Sequence, residues 1–227
     1  MKIAILGTGM VGQTLAAKLA SIGHDVTIGT RDPAGTLARD AKDGYGNPPY
    51  KVWAAAHPQI RLATMADAAA HGETILNALS GAGSLAGLEL AGEANLAGKI
   101  LVDISNPLDF SRGMPPSLFV SNTDSLGEQI QKRFPKTRVV KSLNTVNAHL
   151  MVDPGQLAGG DHSMFVSGDD PAARRRVTSW LTEWFGWRDV IELGDISTAR
   201  GTEQLLPLWV RTWGALKTPM FSFRVVR

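Results

Sequence analysis

The sequence contains no cysteine among its 227 residues. This absence excludes disulfide bridges, iron–sulfur clusters and catalytic thiolates, and it fits a cytoplasmic protein. A chain of this length needs no such cross-links, because about 150 residues already bury roughly two thirds of the surface that their unfolded chain exposes. We therefore expect one large domain, or one domain with a small appendage, around an apolar core.

Long apolar runs are also missing. No stretch reaches the roughly 18 uninterrupted apolar residues that suggest a membrane helix. Residues 205–226 come nearest, and Arg211, Lys217 and Arg224 interrupt them. Residues 1–6 are too short for the apolar region of a signal peptide and run directly into glycines. We expect neither a membrane helix nor a leader.

Charge and histidine spacing give no sign of a nucleic-acid or metal site. The chain has 23 basic and 21 acidic residues, and its densest basic cluster, 174–176, falls on a predicted solvent-exposed helix. Non-specific binding of nucleic acid would require a clustered basic face. The five histidines show no H-E-x-x-H or similarly close spacing. We expect no nucleic-acid partner and no metal.

Short β-rich runs alternate with longer segments rich in Ala and Leu. The predicted strands are 3–6, 25–30, 59–63, 74–79, 99–104, 138–142, 163–167 and 189–193, and the clearest helices are 11–22 and 171–185. This alternation predicts a doubly wound α/β fold of the Rossmann type, with a mainly parallel sheet. We expect a nucleotide-binding domain at 1–150 and a small C-terminal α/β domain at 151–227, packed on the sheet. Segments 31–60 and 107–116 are expected to be irregular, and 81–92 a loop leading into a helix.

A glycine motif follows the first predicted strand. It consists of Gly7, Thr8, Gly9, Met10, Val11 and Gly12, which match G-x-G-x-x-G. The pattern alone could be an ordinary glycine turn, but its place between a strand and a helix makes it a strong dinucleotide signal. The first glycine allows the tight turn, the second lets the pyrophosphate approach, and the third lets the helix pack closely. The helix N-terminus then offers free N–H groups to the phosphates.

The end of the second predicted strand indicates which dinucleotide binds. NAD-binding versions of the motif usually place an acid there, whereas this chain has Thr30 and Arg31. A hydroxyl and a guanidinium suit the 2′-phosphate of NADP(H). Asp32 follows, and we expect it in the turn with Pro33. The alternative is that Arg31 is only a surface residue.

With these residues in place, the chain resembles the coenzyme F420-dependent NADP reductase family. It is also similar to the reductase domain of the six-transmembrane metalloreductases. The resemblance covers nearly the whole chain and is carried by residues 7–12, 29–31, 102–107, 139–146, 197–200, Glu203 and 206–208. It implies a small soluble enzyme, usually a homodimer, that transfers hydride between NADPH and a flavin-like ring. The diffusible co-substrate would be F420, FMN or FAD, and the C-terminal domain would contribute to the acceptor pocket and the dimer contacts.

Three polar residues are candidates for the pocket: Ser80, Asn106 and Asn144. Each lies at or just past the end of a predicted strand, where Rossmann sheets bind their ligands. We assign Ser80 and Asn106 to the cofactor, and Ser80 and Asn144 to positioning of the reacting rings. Each also has a structural alternative, because Ser80 and Asn106 suit turns and Asn144 could simply bind backbone.

One departure from the family concerns the acceptor. Its deazaflavin reductases carry His-Thr where this chain reads Asn144-Thr145, whereas the metalloreductase domains carry Asn, as here. This difference puts in doubt that a deazaflavin is the acceptor, but it does not affect the expected binding of the nicotinamide cofactor. Two other functions remain open: reduction of a small carbonyl or imine, with Lys141 as the best proton donor, and a non-catalytic module that senses NADP(H).

Overall fold

The computed structural model describes residues 1–42 and 46–227. Its strands are β1 Lys2–Leu6, β2 Asp25–Thr30, β3 Arg61–Thr64, β4 Thr74–Asn77, β5 Ile100–Asp103, β6 Leu108–Asp109, β7 Ser117–Leu118, β8 Arg138–Ser142, β9 Ser163–Ser167 and β10 Asp189–Gly194. Its α-helices are α1 Met10–Ser21, α2 Pro33–Ala38, α3 Tyr50–Ala56, α4 Met65–His71, α5 Gly81–Ala91, α6 Glu93–Leu96, α7 Leu126–Arg133, α8 Ala148–Val152, α9 Pro171–Trp180, α10 Ala199–Gln204 and α11 Leu206–Leu216.

Eight strands of the described residues form one sheet in the order β10-β9-β8-β5-β4-β1-β2-β3. The pairings from β3 to β8 are parallel; β9 is antiparallel to β8, and β10 is parallel to β9. The chain moves outward in one direction from β1 to β2 and β3, and in the other direction through β4 and β5. The switch in strand order therefore lies between β1 and β4, which is where such sheets bind nucleotides. The predicted fold class is confirmed.

Two apolar layers cover the sheet, one on each face. Along β1, Ile3 and Ile5 belong to the first layer, whereas Ala4 and Leu6 belong to the second, and all four are fully buried. Successive side chains of a strand point to opposite faces, so a strand without polar residues must be covered on both sides. Helices α1, α8 and α9 cover one face, and α4, α5 and α7 cover the other.

Several predicted segments are more regular than expected. Segment 31–60 contains α2 and α3, although its residues 43–45 lie outside the described part of the chain. Segment 81–92 is helical from its first residue, Gly81, which packs tightly against the backbone of Asn106 in the loop after β5. The loop at 107–116 contains β6, which pairs with β7. The predicted helix 171–185 is α9 followed by a π-helical turn, Leu181–Phe185, and it ends at Gly186 with φ of 85°.

The C-terminal residues do not form a separate sheet, since β9 and β10 continue the sheet beyond β8. Pro207 lies in the first turn of α11, a position that tolerates proline. Within the described residues, no helix combines the length and the apolar character needed to cross a membrane.

Candidate cofactor and acceptor site

The glycine loop joins β1 to α1 with the geometry that the motif predicts. Gly7 has φ of +121°, and a Cβ there would lie 2.6 Å from the carbonyl oxygen of Ala78. A Cβ on Gly12 would lie 2.1 Å from the carbonyl oxygen of Gly7. Both positions therefore require glycine for the fold itself.

Gly9 differs from the other two glycines. Its backbone is extended, and a Cβ built on it meets no atom within 4 Å. No side chain caps α1, so N–H groups of its first turn are free to bind an anion. The side chain of Gln13 donates to the carbonyl of Thr8 at 2.8 Å and so holds the loop open. This open cradle fits a pyrophosphate, which carries negative charge and needs close access to backbone.

The end of β2 presents a cation beside an acid. Arg31 is exposed and forms no hydrogen bond or ion pair with the described residues. The carboxylate of Asp32 accepts from the N–H of Gly35 at 2.9 Å and caps α2. The hydroxyls of Thr30 and Thr36 lie 3.0 Å apart. The guanidinium is therefore available to a ribose substituent, while the acid next to it caps the following helix.

A cleft of about 1140 Å³ opens beside the glycine loop and runs along α1. Thr8, Gly9 and Met10 line one end, and Thr36 and Arg39 line the side next to β2. Its basic lining residues are Lys18, Arg39, Lys42, His57 and His149, and no acidic residue of the described chain lines it. The cleft thus adjoins the glycine loop, whereas the other predicted site residues, Thr30, Arg31, Ser80, Asn106 and Asn144, do not line it.

The predicted pocket residues lie along the carboxyl ends of β4, β5 and β8, which are adjacent in the sheet. Ser80 is exposed and immediately precedes α5. A Cβ on Gly81 would lie 1.9 Å from the carbonyl oxygen of Asn106, so these two segments are in direct contact. Asn144 Nδ2 donates to Asn106 Oδ1 at 2.9 Å, and Asn106 Nδ2 donates to the carbonyl of Asn144 at 2.9 Å. The structure therefore brings all three residues together.

The backbone before Asn144 is strained. Leu143 is buried and has φ of 63°, a left-handed conformation that a branched side chain adopts at a cost of about 1–3 kcal/mol. This turn directs the chain from the end of β8 towards Asn106. Such strained positions occur often at functional sites.

Comparisons with known proteins agree with this geometry. A family model described as NADP oxidoreductase, coenzyme F420-dependent, matches residues 2–107. The crystal structure of a proposed F420-dependent NADP reductase from Arthrobacter sp. FB24 is 60% identical, covers 100% of both chains and superposes with a TM-score of 0.95. This chain belongs to the coenzyme F420-dependent NADP oxidoreductase family.

Two curated relatives of this NADP oxidoreductase are more distant. The F420-dependent NADP reductase of Methanothermobacter marburgensis is 27% identical over 214 residues, which are 92% of this chain and 91% of that protein. Metalloreductase STEAP3 of Rattus norvegicus is 28% identical over 214 residues, also 92% of this chain. The chain spans only 38% of the length of the metalloreductase.

Lys141 does not have the environment of a proton donor in this oxidoreductase. Its side chain is fully buried, and Nζ donates to Asp103 Oδ2 at 2.8 Å, Glu203 Oε1 at 2.7 Å and the carbonyl of Ser105 at 2.6 Å. These three acceptors match the three N–H donors of an ammonium group. Burial acts to lower the pKa of Lys141, but the two carboxylates outweigh burial and raise it, so the group stays charged.

Sequence reasoning missed the residues behind the pocket. Asp103 and Glu203 were noted only as parts of family motifs, and no local pattern shows that Lys141 lies between them. Thr36 and Arg39 were also missed, because their segment was expected to be irregular. No group of three or more potential metal ligands occurs in residues 1–42 and 46–227.

Proposed function

We propose that this NADP-dependent oxidoreductase transfers hydride between NADPH and the ring of a diffusible deazaflavin (F420) or flavin. The observation that carries the proposal is the makeup of the pocket. The predicted pocket residues at the carboxyl ends of β4, β5 and β8 are a serine and two asparagines, of which the asparagines are hydrogen-bonded to each other, and none is a strong acid or base. Such groups orient rings, and they suit a reaction that needs no protein nucleophile.

NADPH supplies the hydride from C4 of its nicotinamide, and the acceptor ring takes its proton from water. The chain would supply binding and alignment. The glycine loop would hold the pyrophosphate, and Arg31 with Thr30 would hold the 2′-phosphate. Ser80 and Asn106 would hold the nicotinamide end, and Asn144 would set the position of the acceptor ring.

All three N–H groups of the Lys141 ammonium already have acceptors within the protein. This favours ring-to-ring hydride transfer over reduction of a carbonyl or imine, which would more often need a protein proton donor. Asn144 favours ordinary flavin as a second candidate acceptor, because the deazaflavin reductases that the chain resembles carry His there. The other alternative, a module that only senses NADP(H), would keep the dinucleotide site and lack turnover.

A panel of acceptors tests the proposal. NADPH oxidation is followed at 340 nm with F420, FMN, FAD, and a set of small ketones and cyclic imines. Turnover with F420 or a flavin, and none with the carbonyls and imines, is expected. Turnover confined to carbonyls or imines would overturn the proposal in favour of the reductase alternative. Tight NADPH binding without any turnover would favour the sensing module.

A further inference from the structure

A buried cluster of three charged residues lies directly behind the acceptor pocket. It consists of Lys141 on β8, Asp103 on β5 and Glu203 on α10, whose side chains are at most 2% exposed. Glu203 also accepts from the N–H groups of Leu126 and Gly127, at 2.8 and 3.0 Å, at the start of α7. We call these three residues the Lys141 cluster. The proposed hydride transfer uses none of them.

The Lys141 cluster bonds to the residue before Asn106. Lys141 donates to the carbonyl of Ser105 at 2.6 Å, and Asp103 Oδ1 accepts from the N–H and the hydroxyl of Ser105 at 3.2 and 2.6 Å. Ser105 therefore has its carbonyl, N–H and hydroxyl bound by the cluster. Asn106, the next residue, exchanges two hydrogen bonds with Asn144.

The same carboxylate continues the chain of bonds towards Ser80. Asp103 Oδ1 accepts from Asn77 Nδ2 at 2.8 Å, and Asn77 Nδ2 also lies 3.1 Å from the hydroxyl of Ser84. That hydroxyl donates to the carbonyl of Ser80 at 3.2 Å. Hydrogen bonds thus connect the cluster to the carbonyl of Ser80 and to Ser105, the covalent neighbour of Asn106, which in turn bonds to Asn144.

Stability alone is a weak reason for such a cluster. Removing an ammonium and two carboxylates from water is costly, and well-packed apolar residues often serve a core equally well. Buried, fully satisfied polar groups do fix one geometry, because any displacement leaves a charge without its partner. The geometry fixed here is that of residues 103–106.

We propose that Lys141 and Glu203 are positioning residues of the acceptor pocket, which act through Ser105 on Asn106 and through Asn106 on Asn144. The inference rests on the proposed function, because it concerns the same pocket. It makes α10, an element of the C-terminal region, a determinant of catalytic alignment. Neither residue touches the reacting rings.

A double-mutant cycle tests this role. Lys141→Met and Asn106→Ala should each lower kcat with the accepted flavin or deazaflavin by about 10- to 100-fold, since small displacements of reacting rings have effects of that order. If Lys141 acts through Asn106, the double variant should be no slower than the slower single variant, within about threefold. Effects that multiply instead would overturn the proposal. If Lys141→Met does not fold, Glu203→Gln replaces it in the same cycle.

Thr74→Val is the matched control. Thr74 is also buried in the sheet and donates to the carbonyl of Ile100 at 3.0 Å, but it lies at the opposite end of β4. This variant should lose stability without a loss of kcat per folded molecule. If Thr74→Val lost as much kcat as Lys141→Met, the Lys141 cluster would contribute only to stability, and its positioning role would be overturned.

A wild-type protein without turnover would contradict the proposed function and not this inference. Crystal structures of Glu203→Gln and Thr74→Val then decide it. Displacement of the Asn106 amide only in Glu203→Gln supports the positioning role, and an unmoved Asn106 in both variants overturns it.

Discussion

Among single residues, we predict that Arg31 selects NADPH over NADH. Its guanidinium is exposed and has no partner among the described residues, and the adjacent Asp32 caps α2. A hydrogen bond to a charged group contributes about 1.5–3 kcal/mol, or roughly 10- to 150-fold in affinity. Arg31→Ala should weaken NADPH by that factor and leave NADH nearly unchanged, as measured by fluorescence titration. Arg175→Ala, an exposed arginine on α9, is the control; equal effects of Arg31→Ala on both dinucleotides would refute the assignment.

Asn144 is the residue that we predict to position the acceptor ring. It cannot act as an acid, so its loss should misplace a ring, which costs on the order of 100-fold in turnover. The protein should still bind NADPH through its phosphate groups near β2, because four strand spacings of about 4.8 Å separate β2 from β8. Asn144→Ala should therefore lower kcat and keep NADPH affinity. The control is Asn95→Ala. This variant loses the hydrogen bonds that the Asn95 side chain donates to the carbonyls of Ala66 on α4 and Ala91 on α5.

Asn144→His separates the two acceptors. The variant should retain turnover with F420 if this chain works as a deazaflavin reductase, and it should impair turnover if an ordinary flavin is the acceptor. Full activity of Asn144→Ala with every accepted substrate would remove this residue from the site.

Among the structural elements, the loop between β1 and α1 contains one glycine needed for folding, Gly12, and one needed only for binding of the dinucleotide, Gly9. The folded protein has room for a side chain at position 9, since the backbone of Gly9 is extended and a Cβ built there has no atom within 4 Å. Gly9→Val should therefore keep the melting temperature and abolish NADPH binding, because the side chain enters the space of the pyrophosphate. Gly12→Val should instead fail to fold properly, since its Cβ would overlap the carbonyl of Gly7. Unchanged NADPH affinity in folded Gly9→Val would reject the phosphate-loop interpretation.

Elements with a strong local signal could be predicted from the sequence. The strands 25–30, 138–142 and 163–167 have the predicted bounds, because short runs containing β-branched or aromatic residues between turns leave few alternatives. The missed helices α4 and α7 also carried a signal. Thr64 and Ser125 cap them with bonds to Asp67 and Glu128 three residues later, a readable capping pattern. The Lys141 cluster could not be predicted, since only the folded sheet brings its members together.

For the whole molecule, the apolar C-terminal residues 205–226 predict a homodimer. Within one chain it is partly covered: Phe221 is buried and its ring lies 5.1 Å from that of Trp209. Leu208 and Leu216 of α11 stay 53% and 55% exposed. Exposed apolar side chains on α11 would be covered in a dimer, which is why we predict association. Light scattering at micromolar concentration should give a dimer that Leu208→Glu dissociates; a monomeric wild type would reject it.

Direct hydride transfer from the nicotinamide to a flavin-like ring is the reaction that we propose for this NADP-dependent oxidoreductase. NADPH labelled with deuterium at C4, prepared separately in both stereochemical forms, tests it with F420 as acceptor. Carbon 5 of a reduced deazaflavin holds its hydrogen against exchange with water, so mass spectrometry can follow the label. We expect one of the two forms to deliver its deuterium to the reduced deazaflavin. Oxidation of NADPH with no label in the product, from either form, would contradict direct transfer.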